Sequence, residues 1–142
     1  MKLGVDDSAS ILMKYIPLLA DTYPDIQEWL YLKVIPDLTT GKRVVLSVAD
    51  NEEIMAFSVL KDNKTEKKIC TLYVLESFRL RGVGSLLIHE SVKYLGHKNI
   101  HLSVSEDNYE SIKSLLEKHG FNKVKEVRDE YCMGITELHF EL

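Results

Sequence analysis

Cysteine is scarce: Cys70 and Cys132 are the two in 142 residues. Both stand in apolar or strand-like contexts without metal-ligand spacing, so two buried free thiols are expected rather than a disulfide framework. No apolar run approaches the roughly 18 residues of a membrane span, and no membrane association is expected. Met1 to Asp7 lacks a basic segment followed by an apolar one, which reads as a cytoplasmic protein without a secretory signal. A basic excess is also missing. Lys and Arg number 18 against 22 Asp and Glu, for a formal net charge of −4 and a pI of about 5.7. No nucleic-acid partner is expected, because one calls for a basic field. There is no repeat, low-complexity stretch or linker, which leaves one domain over residues 1–142.

What is present suits a packed domain. Hydrophobic residues make up 45% and charged residues 28%. A chain of this size buries roughly two-thirds of its surface and needs no metal or disulfide staple. Charge is uneven. Residues 61–81 carry Lys61, Lys64, Lys67, Lys68, Arg79 and Arg81 against three acids. Residues 126–142 carry Glu126, Asp129, Glu130, Glu137 and Glu141 against Arg128. One end can favour an anion and another a cation.

Secondary-structure signals run end to end. Ser8 reads as the N-cap of a helix through Ala20, with Leu12, Tyr15, Ile16 and Leu19 on its face and a break at Pro17. Asp25 and Glu28 suggest a capping box for a second helix that ends at Pro36. Strands at 44–49 and 54–60 form a hairpin, and 69–75 reads as a strand apolar on both faces. A helix with Val83, Leu86, Leu87, Tyr94 and Leu95 on one face stops at Gly96. A strand at 100–104 follows, then a helix opened by an Asp107–Glu110 capping box. That helix closes at Gly120-Phe121 in a Schellman stop. Strands near 123–128 and 134–140 finish the chain. The class is α+β, with a mixed, mostly antiparallel central sheet and helices on both faces.

The segment that carries chemistry runs from Leu72 to Ser85. A strand ends, Arg79-Leu80-Arg81-Gly82-Val83-Gly84 turns, and a helix starts. The first amides of a helix have no intrahelical partner, and the macrodipole adds about half a positive charge there. Two glycines let the main chain approach a ligand, and two arginines flank the turn, so the segment suits a diphosphate. A nucleotide P-loop needs a lysine after its last glycine, and here Ser85 and Leu86 follow Gly84. A dinucleotide fingerprint needs three glycines near the first strand, and the third is missing.

Arg79-x-x-Gly82-x-Gly84 stands between an apolar strand and an amphipathic helix. A further strand, a helix starting near Asn108 and Gly120-Phe121 follow it. This arrangement resembles the GNAT superfamily of N-acetyltransferases over essentially the whole chain. The helical pair before the first hairpin is similar as well. The resemblance implies a GNAT-like sheet with a splayed parallel strand pair, the strand at 100–104 leaving its neighbour. It implies acetyl-CoA as cosubstrate, with pantetheine pairing along Leu72, Tyr73 and Val74. The diphosphate then lies on Arg79, Leu80, Arg81, Gly82, Val83, Gly84 and Ser85, and Asn108 touches the pantetheine arm.

The implied reaction is direct acetyl transfer to a primary amine of a small molecule, peptide or protein. The alternative is a catalytically silent acyl-CoA-binding module. In the family a tyrosine often stands four residues before the glycine of the Gly-Phe pair, and here that position is Leu116. Tyr109, Tyr73 and Tyr131 are the candidates to replace it as acid. Glu106, His101 and Glu76 are candidates for the base, with Glu106 preferred because it follows the splayed strand. The acceptor pocket is expected from the first two helices and the last hairpin: Asp25, Glu28, Trp29, Asp129, Glu130 and Tyr131. The acceptor's identity and a homodimer stay open.

Overall fold

The computed structural model describes every residue except Met1, Asp7, Ser8, Thr22, Lys64 and Leu80. Seven strands form one sheet: β1 (Lys2–Asp6), β2 (Arg43–Asp50), β3 (Glu53–Asp62), β4 (Lys67–Val74), β5 (Ile100–Ser105), β6 (Asn122–Arg128) and β7 (Thr136–Glu141). Their order is β1-β2-β3-β4-β5-β7-β6. Among the described strands β4 and β5 run parallel and the other pairs are antiparallel. The mixed, mostly antiparallel sheet of the sequence reading is therefore present.

Alternation along the strands feeds two cores. Leu46, Val48, Ala56 and Leu60 face α4 (Val83–Leu95) and α5 (Glu106–Lys118). Val45, Phe57 and Val59 face α1 (Ser10–Tyr15), α2 (Ile26–Trp29) and α3 (Ile35–Thr40). Side chains two apart on a strand share a face, so a single sheet serves both layers. Leu116 is 1% exposed and belongs to the α4/α5 core. Leu116→Ala removes a buried side chain that its rigid neighbours cannot fully replace. The expected loss is about 2–5 kcal/mol, read as a lower urea midpoint at unchanged slope.

Local signals placed several elements correctly. Pro17 converts the end of α1 into a 3-10 turn over Ile16–Leu19, as its missing N–H requires. Gly120 has φ +84 and its amide bonds Glu117 O, while Phe121 N bonds Leu116 O. Those two bonds are the Schellman pattern. The β2–β3 turn is Asn51-Glu52, both at positive φ, the two-residue turn whose twist matches a hairpin.

Other readings need correction. β1 went unread, because Lys2-Leu3-Gly4-Val5-Asp6 is a short edge strand with little apolar content. Ser8 lies outside the described residues, and Ala9 stands at the N-cap of α1. The second helix does not end at Pro36. A π turn over Leu30–Val34 lets Ile35 N bond Leu30 O, five residues back, and the helix continues through the proline to Thr40. Neither capping box forms. Asp25 is at the N-cap without a side-chain bond, and α5 begins one residue before Asp107, with Ser105 at its N-cap. On α4, Tyr94 is exposed, and the buried stripe is Val83, Leu87, Ile88, Ser91, Val92 and Leu95. Both thiols are free, yet each is only half-buried.

Candidate active site

The apolar run over 69–75 reads as a strand buried on both faces, but along β4 only Ile69 is buried. The reason is topological. β4 pairs with β3 as far as Val74. On its other side, pairing with β5 covers only Lys67, Lys68 and Ile69. Beyond Ile69 the parallel strands diverge, and an extra residue at Cys70 interrupts the β3–β4 register. From Cys70 to Val74, therefore, one main-chain edge of a central strand has no strand partner. Val74 O accepts from Arg79 Nε at 3.0 Å. Such an edge is a template for an extended group bearing amides.

The cleft ends at the loop before α4. Gly82 is the N-cap of α4, with φ +78 and ψ 2, and among the described residues no side chain caps the first amides of the helix. A left-handed φ is where glycine has no Cβ penalty. Gly84 serves packing instead: a Cβ there would meet Leu115 Cδ2 at 3.4 Å and Val74 Cγ2 at 3.5 Å, so its smallness lets α4 approach both β4 and α5. Arg81 is exposed, its guanidinium 5.7 Å from the Phe78 ring centroid, and Arg79 lies 5.7 Å from that of Tyr73. The sequence reading did not foresee two further cationic or polar groups. Lys118 Nζ lies 3.2 Å from Ser85 Oγ, and His119 Nε2 lies 3.1 Å from the same hydroxyl. Burial and the Lys118 charge push the His119 pKa down. Leu80 lies outside the described residues.

Across the cleft, β5 and β7 present a polar surface on the side of α1 to α3. Ile100, Leu102 and Val104 pack into the α4/α5 core, so His101, Ser103 and Ser105 face the other way. On β7, Glu137 and His139 alternate with core residues Leu138 and Phe140, and both are buried. Tyr23 Oη donates to the Glu137 carboxylate at 3.3 and 3.5 Å, and Ser103 Oγ donates to it at 3.2 Å. Burial pushes the Glu137 pKa up to about 7, with the Glu130 charge adding to it; Ser103, Tyr23 and Lys68 pull it back. Tyr131 stands edge-on to Tyr23 at 5.8 Å, its own pKa pushed up to about 12 by burial and by Glu130 and Glu137. His139 Nε2 contacts Glu130 Oε2 at 2.5 Å, and its Nδ1 lies 2.9 Å from His101 Nε2. Sequence reasoning passed over Tyr23, Ser103, Glu137 and His139.

Residues 10–121 match the model of the acetyltransferase (GNAT) family. The chain belongs to that family. Its fold superimposes on a GNAT-family protein from Desulfovibrio desulfuricans with a TM-score of 0.77 at 12% identity, covering 99% of this chain and 97% of the other. An aminoglycoside 6′-N-acetyltransferase complexed with coenzyme A gives 0.72 at 16% identity, covering 99% and 95%. The ribosomal-protein-S18-alanine N-acetyltransferase of Escherichia coli gives 0.69 at 15%, covering 99% and 93%. No curated protein matches the sequence at a significant level.

In this GNAT chain the candidate catalytic residues are dispersed. Glu106 is exposed at the start of α5, where Oε1 accepts the Thr136 amide at 3.1 Å. Tyr109 is half-buried and stacks on Phe140 at 5.6 Å, against the α4/α5 core. Asn108 is exposed in the first turn of α5. Glu76 is exposed in the 3-10 turn before the loop. Of the expected acceptor pocket, Glu130 and Tyr131 join the polar cell. Trp29 packs in the α1–α3 core with the Arg43 guanidinium 5.5 Å from its ring, and Asp129 accepts the Gly134 amide. Asp25 and Glu28 are exposed. Among the described residues there is no metal-ligand cluster, and no helix is long and apolar enough to cross a membrane.

Proposed function

We propose that residues 1–142 form one N-acetyltransferase domain that uses acetyl-CoA and transfers the acetyl group directly to a primary amine. The observation that carries this reading is the open main-chain edge of β4 leading to an uncapped, glycine-started helix. The pantetheine amides pair with the edge at Leu72, Tyr73 and Val74. The diphosphate takes the amides of Val83, Gly84 and Ser85, with Arg79, Arg81 and Gly82 around it. A β4 amide polarises the thioester carbonyl, and the cleft walls align amine and thioester carbon. The amine nitrogen bonds to that carbon, the C–S bond breaks, and coenzyme A leaves as thiolate, which takes up a proton. A thiol of ordinary pKa near 8.5 leaves tolerably without an acid. This accommodates Leu116 at the position where the family often has tyrosine.

Coenzyme A at about 100 times its dissociation constant stabilises a protein by about 2.7 kcal/mol. For this chain length that is a rise of roughly 6–12 °C in melting temperature. No shift with coenzyme A or acetyl-CoA refutes the reading. Leu116 supports a second reading, a silent acyl-CoA-binding module. Thiol release from acetyl-CoA across a panel of amines and peptides separates the two: the transferase releases thiol with at least one, the module with none.

A further inference from the structure

Glu137 is 3% exposed, yet its carboxylate is poorly satisfied. Its three contacts run from 3.2 to 3.5 Å, beyond the 2.5–3.0 Å of ordinary O–H···O hydrogen bonds. A buried anion held this loosely has capacity for a stronger donor. A second observation points into the same space. Ser105 faces Glu137 across the β5–β7 ladder, and its Oγ, 1% exposed as a residue, lies beside the Tyr23 hydroxyl but makes no well-formed hydrogen bond among the described residues. The rings of Tyr23 and Tyr131 add aromatic faces suited to a cation.

We propose that Glu137, Ser105, Tyr23 and Tyr131 form the seat of the acceptor's ammonium group, and that Glu137 takes its proton before transfer. This inference rests on the acetyl-CoA reading above. The substrate class is a primary alkylammonium whose reacting end is slender enough to pass Tyr23. Binding begins with an N–H donated to Glu137 and another to Ser105 Oγ. The carboxylate then accepts one proton, R–NH3+ becoming R–NH2, and the lone pair attacks the thioester carbon at the β4 edge. The acetylated nitrogen gives its extra proton to the departing thiolate, and Glu137 returns its proton to solvent. The balance is one ammonium and one thioester to one amide, one thiol and one proton.

Every charged or titratable neighbour of Glu137 bears on its proton affinity. Tyr23 faces it from the segment before α2, Glu130 and Tyr131 from the β6–β7 loop, and Lys68 from β4. His139 stands beside Glu130, and His101 beside His139. Burial and Glu130 oppose the negative charge, which places the carboxyl near neutrality, where a base works best.

The test is a carboxyl 13C NMR titration with butylammonium as probe, with Glu137 identified by loss of its signal in Glu137→Gln. A midpoint near 7 that falls by at least half a unit on adding 50 mM butylammonium chloride, but not sodium chloride, supports the seat. A midpoint near 4.5, or one that butylammonium leaves unmoved, overturns it. Coenzyme A added to the same sample reads the other proposal: amide shifts at Gly82 and Gly84 support the diphosphate seat, and their absence refutes that reading alone. With butylamine as acceptor, Glu137→Gln is expected to lose roughly 10²–10⁴-fold in kcat/KM at pH 7 while acetyl-CoA affinity stays constant. The wild-type profile levels above pH 7, and that of the variant keeps rising toward the amine's own pKa. Equal rates and equal profiles overturn the assignment.

Discussion

Arg81→Glu and Gly82→Asp each abolish coenzyme A binding, by at least about 100-fold in titration calorimetry, and leave a folded protein. The loop makes this expectation specific. The first amides of α4 have no side-chain cap, so their donors are available to an anion. A carboxylate at position 82 competes for the same amides that a capping side chain would take. One charge-assisted hydrogen bond contributes about 1.5–3 kcal/mol, so losing two costs roughly 10²–10⁴ in affinity. Folding is spared because Gly82 is exposed and a Cβ there meets nothing within 4 Å. The cost is the left-handed φ of +78, about 1–2 kcal/mol for most side chains, and Asp tolerates that region better than most. At Arg81 the change reverses an exposed charge that lies over the Phe78 ring. A comparison variant, Gly84→Val, should fail differently. It wedges branched carbons between Leu115 and Val74 and lowers the melting temperature as well as the affinity. Unchanged affinity in both Arg81→Glu and Gly82→Asp would move the diphosphate away from this loop.

The glycine-started loop before α4 was legible because it is local. A strand, two glycines two apart and a helix start are fixed by residues within a dozen positions of one another. The Gly120-Phe121 stop was legible for the same reason. The π turn before Pro36 was not, since proline rules describe the α-helical hydrogen bond it breaks and not the wider turn that avoids breaking it. The divergence of β4 from β5 was implied by the family resemblance rather than by the residues. Leu72, Tyr73 and Val74 read as buried core, and only the short β4–β5 ladder reveals them as an edge. The polar cell was the least legible part. Alternation in Glu137-Leu138-His139-Phe140 sets two polar side chains on one face, which ordinarily means solvent. Here Tyr23, 114 residues away, covers that face, and no local pattern announces such a partner.

Glu137→Gln stabilises the protein at pH 8 while disabling it. Burial disfavours the charge of the native carboxyl and pushes its pKa up to about 7, from an ordinary value of 4.5. Between those values the folded state binds more protons than the unfolded chain, so stability falls as pH rises through that window. Above pH 7 the loss is complete, roughly 3 kcal/mol for a shift of this size. Glutamine has no proton to lose. Its amide can keep Tyr23 and Ser103 as partners, so the variant does not decline over the same range. Urea unfolding at pH 8 should therefore favour the variant by about 2–3 kcal/mol, equivalent to roughly 5–12 °C in melting temperature. Near pH 4 the two proteins converge, because both then carry a neutral group at position 137. A variant less stable than wild type at pH 8, by an amount independent of pH, means that the charged carboxylate holds β7 to Tyr23 as a structural tie. The expected crossing of stability and activity is what a buried base requires. The burial that raises its proton affinity toward neutrality is the same burial that the folded state must offset elsewhere in the sheet.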